Sequence, residues 1–404
     1  MIEVRYLGGG EDLLVGRLTQ SAGRVFFEYD GDWRGRGLEL SPYVLPLSED
    51  RAVAPPDNKF QGLYSLFADS LPDWWGEKLL RRHVEAQGRV WRDLTPLDKL
   101  CLQGDRTVGA LGYEPDAGMG EEVGEFDLEG LASSAVDVLA GETDRVIAGL
   151  LRTGHTAGGA QPKVVLGLSE DRRSVVSGEG VLPEGFSHWL VKFDLEPVLE
   201  DGRAEMLCGL AARAAGIEMP EVAVLEDGSD RAHFAVRRFD RRGHGERVHV
   251  QTFTALSGRH VEEQFDYSDL MDMTRDLTRD HRQVEQMFRR AVFNVLLGNE
   301  DDHGKNHAFL MEADGEWKLA PAYDLTQTGH PVGGGMRACG VMGRAAEVRR
   351  EDLLALAAEH GVRGSEKVID EVWGVLSRLE DFAVATGISV GRMEELREGL
   401  RGAR

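Results

Sequence analysis

Cysteine is scarce in this sequence. Its three residues, Cys101, Cys208 and Cys339, lie far apart and without metal-ligand spacing. They cannot build a disulfide framework or a thiolate metal site, and they read as buried small residues in a reducing cytoplasm. Long apolar runs are also missing. No stretch reaches the roughly 18 consecutive apolar residues of a membrane-spanning helix, so no membrane association is expected. The opening MIEVRYLGGGEDLL lacks a basic flank followed by an apolar stretch, so no signal peptide is expected and the cytoplasm is the expected location. Basic residues are in deficit: 47 Lys and Arg stand against 70 Asp and Glu, a net charge of −23. That balance excludes direct nucleic-acid binding over the whole surface, and a partner docking broadly would need basic patches. What is present is a chain of 404 residues, 42% apolar. That is more than one hydrophobic core normally serves, so two or three domains or lobes are expected.

The pattern along the chain divides it into three. Residues 1–115 open β-rich: Arg24 to Tyr29 reads as a strand, followed by the turn signal Asp30-Gly31-Asp32. Helical periodicity follows over 60–104, with Leu79, Leu80, Leu97, Leu100 and Cys101 on the apolar faces. Pro115 to Gly130 is acidic and Gly-rich and reads as a surface linker. Residues 131–260 alternate short strands with one helix, expected from Ala204 to Ala215 and stopped by Gly216. Residues 261–404 are predominantly helical. Met287, Ala291, Val292, Val295 and Leu296 form one apolar stripe that ends at Gly298. The expected class is α+β, a mixed α/β lobe followed by a helical lobe, with a cleft between them suited to a ligand.

The densest polar cluster, Asn299-Glu300-Asp301-Asp302-His303-Gly304-Lys305-Asn306, follows that stripe directly. A hairpin is expected next, His307 to Met311 and Trp317 to Ala320 around Ala313-Asp314-Gly315, and then Pro321-Ala322-Tyr323-Asp324-Leu325. The order is therefore Asp, four residues, Asn, hairpin, Asp. Phosphoryl transfer needs that set: a carboxylate to orient the attacking hydroxyl and accept its proton, and an amide oxygen and second carboxylate to hold Mg²⁺ on the phosphates. Asp301 has the spacing to Asn306 and Asp302 does not, so Asp302 is expected to turn to a stabilising hydrogen bond or a cation. Lys305 could neutralise the γ-phosphate, and His303 would brace the loop by hydrogen bonding. A rival chemistry, a metallohydrolase built on Asp301, Asp302 and His303, needs further histidines, and His281 and His330 stand isolated.

The nucleotide side is thinner. Gly154 to Lys163 (GHTAGGAQPK) could approach phosphates through backbone N–H groups. It is not a Walker A loop, and alone it reads as a flexible turn. In the strand His188 to Asp194, Trp189, Val191 and Phe193 share one face, and Lys192 lies on the other. Glu205, early in the next helix, supplies the carboxylate that pairs with a strand lysine in kinases. The strand Phe234 to Asp240 would end at the lobe connection, where Phe239 could pack on adenine or simply mark a basic surface strand.

With these residues assembled, the chain resembles the HipA-like serine/threonine kinases, the toxins of HipBA-type toxin–antitoxin modules and their stand-alone relatives. The resemblance rests on Gly158 to Lys163, Leu190 to Phe193, Arg238 to Arg241, Asn299 to Asn306 and Pro321 to Leu325. Leu40-Ser41, Leu71-Pro72-Asp73 and Gly109-Ala110-Leu111 are similar to the family's N-terminal segment. It implies a two-lobed protein-kinase-like fold with an extra N-terminal β-rich subdomain, and ATP and Mg²⁺ as cofactors. Asp301 would be the catalytic base, Asn306 and Asp324 the Mg²⁺ ligands, and Lys192 the ATP-phosphate ligand. Thr156, Gly158, Gly159, Ala160 and Gln161 would form the phosphate loop. Well-known members autophosphorylate a serine there, where this chain has Thr156. Arg237 replaces a glutamate that some members carry at the adenine edge. The implied substrate is a protein hydroxyl, an aminoacyl-tRNA synthetase in some members. The implied partner is a small helix-turn-helix antitoxin.

Two other functions stay open at this level. A catalytically silent ATP- or antitoxin-binding module would not need the full set Lys192, Asp301, Asn306 and Asp324. A small-molecule kinase of the aminoglycoside or choline type usually has His where this chain has Asn299.

Overall fold

The structure, a computed structural model, describes the chain apart from residues 49–51, 119–126, 142–148, 151–152, 154–160, 244, 329–334 and 402–404. It is mixed α/β. An antiparallel sheet near the N-terminus takes the order β3-β2-β1-β4, from β1 (Ile2–Tyr6), β2 (Leu13–Ser21), β3 (Arg24–Tyr29) and β4 (Leu111–Glu114). Strict alternation turns Ile2, Val4 and Tyr6 inward, and Val25, Phe27 and Tyr29 likewise, as the period of a half-buried strand requires. A five-stranded antiparallel sheet runs β6-β5-β7-β9-β8, from β5 (Lys163–Ser169), β6 (Val175–Ser177), β7 (Phe186–Lys192), β8 (Val222–Glu226) and β9 (Ala232–Arg237). A small third sheet joins β10 (His249–Thr252), β11 (Ala308–Met311) and β12 (Trp317–Leu319). The expected hairpin is thus present, its strands a residue shorter, with Gly315 left-handed at the turn.

Five helices position the candidate site: α1 (Trp74–Ala86), α2 (Leu128–Ala140), α3 (Asp201–Ala214), α4 (Tyr267–Thr278) and α5 (His281–Leu297). The linker expected over 115–130 gives way to α2 at Leu128, because the Asp127 carboxylate caps that helix by accepting from the Gly130 N–H. α3 begins at Asp201, three residues before the expected start. Gly202 permits this, since a Cβ there would stand 1.8 Å from the Ala232 carbonyl oxygen of β9. The stripe Met287, Ala291, Val292, Val295 and Leu296 is buried on α5, and Gly298 (φ 80°) closes the helix.

One continuous apolar core runs from the first sheet through α3, α4 and α5. A second lies between α2 and the face of the five-stranded sheet that carries Trp189, Val191 and Phe193, and it takes in Trp75 and Leu79 from α1. Polar contacts tie the N-terminal part down. Ser65 donates to the Ala255 carbonyl at 2.6 Å, Asp69 accepts from the Thr252 N–H and hydroxyl at 2.9 and 2.8 Å, and His249 donates to the Leu40 carbonyl at 3.1 Å. Among the described residues no helix is long and apolar enough to cross a membrane.

Candidate active site

Lys192 ends β7, the central strand of its sheet, opposite Lys163 on β5 and Phe234 on β9. The residue is 8% exposed, and its ammonium donates to Glu205 of α3 at 2.5 Å and to Asp324. Burial works against that charge, but the Asp324 and Glu205 carboxylates outweigh it and hold Lys192 above the usual lysine range. Burial alone would raise Asp324; the Lys192 and Lys163 ammoniums overcome it and bring the acid down to about 2. Lys163 goes the other way: burial, then repulsion from Lys192, lowers it to about 8. Asp324 sits at φ 57°, a left-handed conformation costly for a residue with a Cβ.

The polar loop begins where Gly298 releases α5. Asn299 accepts from the Asp301 N–H at 3.2 Å and donates to the Asp324 carbonyl at 3.2 Å, so one side chain ties both carboxylate-bearing segments together. Asn306 donates to the Asp301 carbonyl at 2.9 Å, and Tyr323 donates to the Lys305 carbonyl at 2.5 Å. The Asp301 side chain is exposed at the mouth of this loop. Partial desolvation raises its pKa, and Asp324 and Asp302 add to the rise while His303 opposes it. Asp302 turns away into the interior, fully buried. It accepts from the Tyr267 hydroxyl at 2.8 Å and the Cys339 N–H at 3.1 Å, and it pairs with Arg337. Glu205, Lys192, Asp324 and Asp301 are thereby brought into one region from four separate segments.

Other expectations fare differently. His303 joins the loop through its backbone, its carbonyl accepting from the Asn306 N–H at 2.8 Å, while its ring Nδ1 is buried with no hydrogen-bond partner among the described residues. Lys305 pairs with Asp73, a residue 232 positions earlier. The strand expected to run to Asp240 stops at Arg237. Asp240 is buried, pairs with Arg238 and Arg241, and accepts from the Gly109 N–H at 2.7 Å. Phe239 lies half-buried against Tyr323, ring centroids 5.7 Å apart. Gln161 reaches the Phe193 carbonyl only at 3.5 Å. Thr156, Gly158, Gly159 and Ala160 lie outside the described residues, as does His330. A metallohydrolase site is not assembled, since Asp302 is engaged by Arg337 and no three His, Cys, Asp or Glu cluster as metal ligands among the described residues.

Sequence reading gave no role to Asp73 or Lys163. Lys163 carried a signal only as the lysine that closes the segment Gly154 to Lys163. Asp73 carried only its place in Leu71-Pro72-Asp73.

The model of the HipA-like C-terminal domain matches residues 155–379, more than half of the chain, and that of the HipA N-terminal domain matches residues 10–114. The chain belongs to the HipA-like family. A Sinorhizobium fredii protein named "Putative kinase" is 29% identical over 35% of this chain and 37% of its own length. A Haemophilus influenzae protein of the same name is 24% identical over 43% of this chain and 52% of its own. The HipA-like chain thus spans about half or less of these relatives. The match to the serine/threonine-protein kinase toxin HipA of Shewanella oneidensis is longer, 27% identical over 78% of this chain and 73% of that one. In fold, the HipA-like chain is similar to a chain of the Shewanella HipA, HipB and operator DNA complex. The TM-score is 0.72 at 18% identity, covering 99% of this chain and 95% of that one.

Proposed function

We propose that this HipA-like chain is an ATP- and Mg²⁺-dependent serine/threonine protein kinase with a two-lobed kinase-type fold. In this reading residues 1–115 form an N-terminal subdomain, 131–260 the nucleotide-binding lobe and 261–404 the catalytic lobe. The observation that carries it is the Lys192 ammonium held between Glu205 and Asp324, with Asp301 on a loop tied to Asp324 through Asn299. Lys192 binds the ATP phosphates, and Phe239, against Tyr323, packs on adenine. Thr156, Gly158, Gly159, Ala160 and Gln161 line the phosphates on sequence grounds alone, with Thr156 as the autophosphorylated hydroxyl.

The donor set fits Mg²⁺, which takes hard oxygen ligands, one or two carboxylates, and otherwise water and phosphate oxygens. Asp324 supplies the carboxylate. Asn306 spends its Nδ2 on the Asp301 carbonyl, which leaves its amide oxygen as the second ligand. When bound, the ion would neutralise charge on the phosphates. Asp301 orients a protein hydroxyl and takes its proton as the new phosphorus–oxygen bond forms and the bond to the bridging oxygen of ADP breaks. A carboxylate raised above its usual range is a better base for that proton. The name of the Shewanella complex supports an antitoxin as a partner of this chain too.

The test is phosphate transfer from radiolabelled ATP to protein, with ATP affinity measured by calorimetry. Lys192→Ala is expected to weaken ATP binding. Asp301→Asn is expected to retain it while transfer falls about 10²–10⁴-fold. Unchanged ATP affinity in Lys192→Ala, or full activity in Asp301→Asn, overturns the reading.

A further inference from the structure

Asp73 stands at the N-cap position of α1, where an aspartate ordinarily accepts a hydrogen bond from the first-turn N–H groups. Here it makes no cap hydrogen bond. Its carboxylate instead takes the ammonium of Lys305, inside the loop between Asp301 and Asn306. Both side chains are partly buried, 22% exposed for Asp73 and 30% for Lys305. Around the pair, the segment 65–75 is fastened at both ends. Ser65 and Asp69 bind Ala255 and Thr252, next to the polar loop. Trp75 is fully buried in the core under the five-stranded sheet, and its indole N–H donates to the Lys163 carbonyl at 2.9 Å. The carboxylate is therefore placed by contacts on both sides of it along the chain, close to the paired strand ends of Lys163 and Lys192.

We infer that Asp73 is a positioning residue of the active site: it holds the Lys305 ammonium at the catalytic loop, so that the N-terminal segment completes a site whose other groups come from the rest of the chain. This rests on the kinase reading above. An unpaired lysine would sample many rotamers, and fixing it beforehand removes that entropy from the reacting complex. Phosphate oxygens at the loop can share the ammonium's remaining N–H donors without breaking the contact to Asp73, because an ammonium has three.

The test combines Asp73→Asn, which keeps the size and capping ability of the residue, with Lys305→Met and the double variant. Pulse acetylation read by peptide mass spectrometry reports the pairing independently of activity. Lys305 should react about tenfold faster in Asp73→Asn, the equivalent of losing ~1.4 kcal/mol of interaction. Phosphate transfer reports the role. Asp73→Asn is expected to lower kcat about tenfold with little change in the KM for ATP. The double variant is expected to be no slower than Lys305→Met. Multiplicative losses would mean that Asp73 acts independently of Lys305, and they overturn the inference, as does an unchanged acetylation rate or an unchanged kcat. A wild-type chain that transfers no phosphate overturns the kinase reading, and the positioning role with it.

Discussion

Asp301 and Asp302 are neighbours with opposite fates. Asp301 is exposed beside Asp324, whereas Asp302 is buried against Arg337, Tyr267 and Cys339. Removing one charge of a buried pair strands the other, at a cost of about 3–5 kcal/mol. Asp302→Asn is therefore expected to lower the thermal midpoint and keep near-normal phosphate transfer, whereas Asp301→Asn should melt like wild type and transfer about 10²–10⁴-fold more slowly. Parallel melts and transfer assays on the two variants check this; an inactive but fully stable Asp302→Asn would reverse the assignment. The spacing to Asn306 was enough to separate the two aspartates, because a loop of six residues can present only one of them to a group bound at Asn306. The partner of Asp302 was not legible. Arg337 lies 35 residues on, and nothing local marks it as the counter-ion.

At the scale of the element, strands and helices followed their periodicity wherever one face was buried, as in β3, β7 and α5. Their ends did not. The run Phe234 to Asp240 reads as a continuous strand, yet pairing with β7 stops at Arg237, opposite Trp189. Beyond it, Arg238 and Asp240 face the N-terminal segment: Arg238 and Arg241 both reach the Thr107 carbonyl, and Asp240 takes the Gly109 N–H. The opposing partner lies some 130 residues earlier, so the change from strand to clamp leaves no local trace. Burial would raise the Asp240 carboxyl, but Arg238 and Arg241 hold it well below the usual range. Asp240→Ala should leave two guanidiniums without their common acid and cost about 3–5 kcal/mol. Hydrogen exchange should then accelerate across 105–111 while β1 to β3 stay protected. Unchanged protection of 105–111 would show that the clamp is not what fastens that segment.

At the scale of the molecule, buried histidines govern the response to acid: burial lowers His233 and His360, and lowers three others further. Burial lowers His188 and His249 to about 4 and His307 to about 3. Each also has a ring nitrogen with no partner among the described residues, Nδ1 in His188 and His249 and Nε2 in His307. Protonation would put an N–H without an acceptor into the interior. Because the unfolded chain binds these protons at about 6.5 and the folded chain does not until about 4 or below, stability is lost as pH falls from 6.5 towards 4. Asp194, raised by burial to about 6, acts in the opposite sense between about 4 and 6 and offsets part of that loss. Asp324, lowered to about 2, adds a further loss only below the ordinary carboxylate range. His249 is the group to change, since its Nε2–H joins β10 to Leu40 and so ties the N-terminal part to the rest. His249→Gln can still donate to the Leu40 carbonyl but does not titrate. Melting curves between pH 7.5 and about 4.5 should show the wild-type midpoint falling steeply below about 6.5. The His249→Gln midpoint should start slightly lower at neutral pH and fall less. Parallel curves for the two proteins would remove His249 from this account and leave the acid response to the other buried histidines.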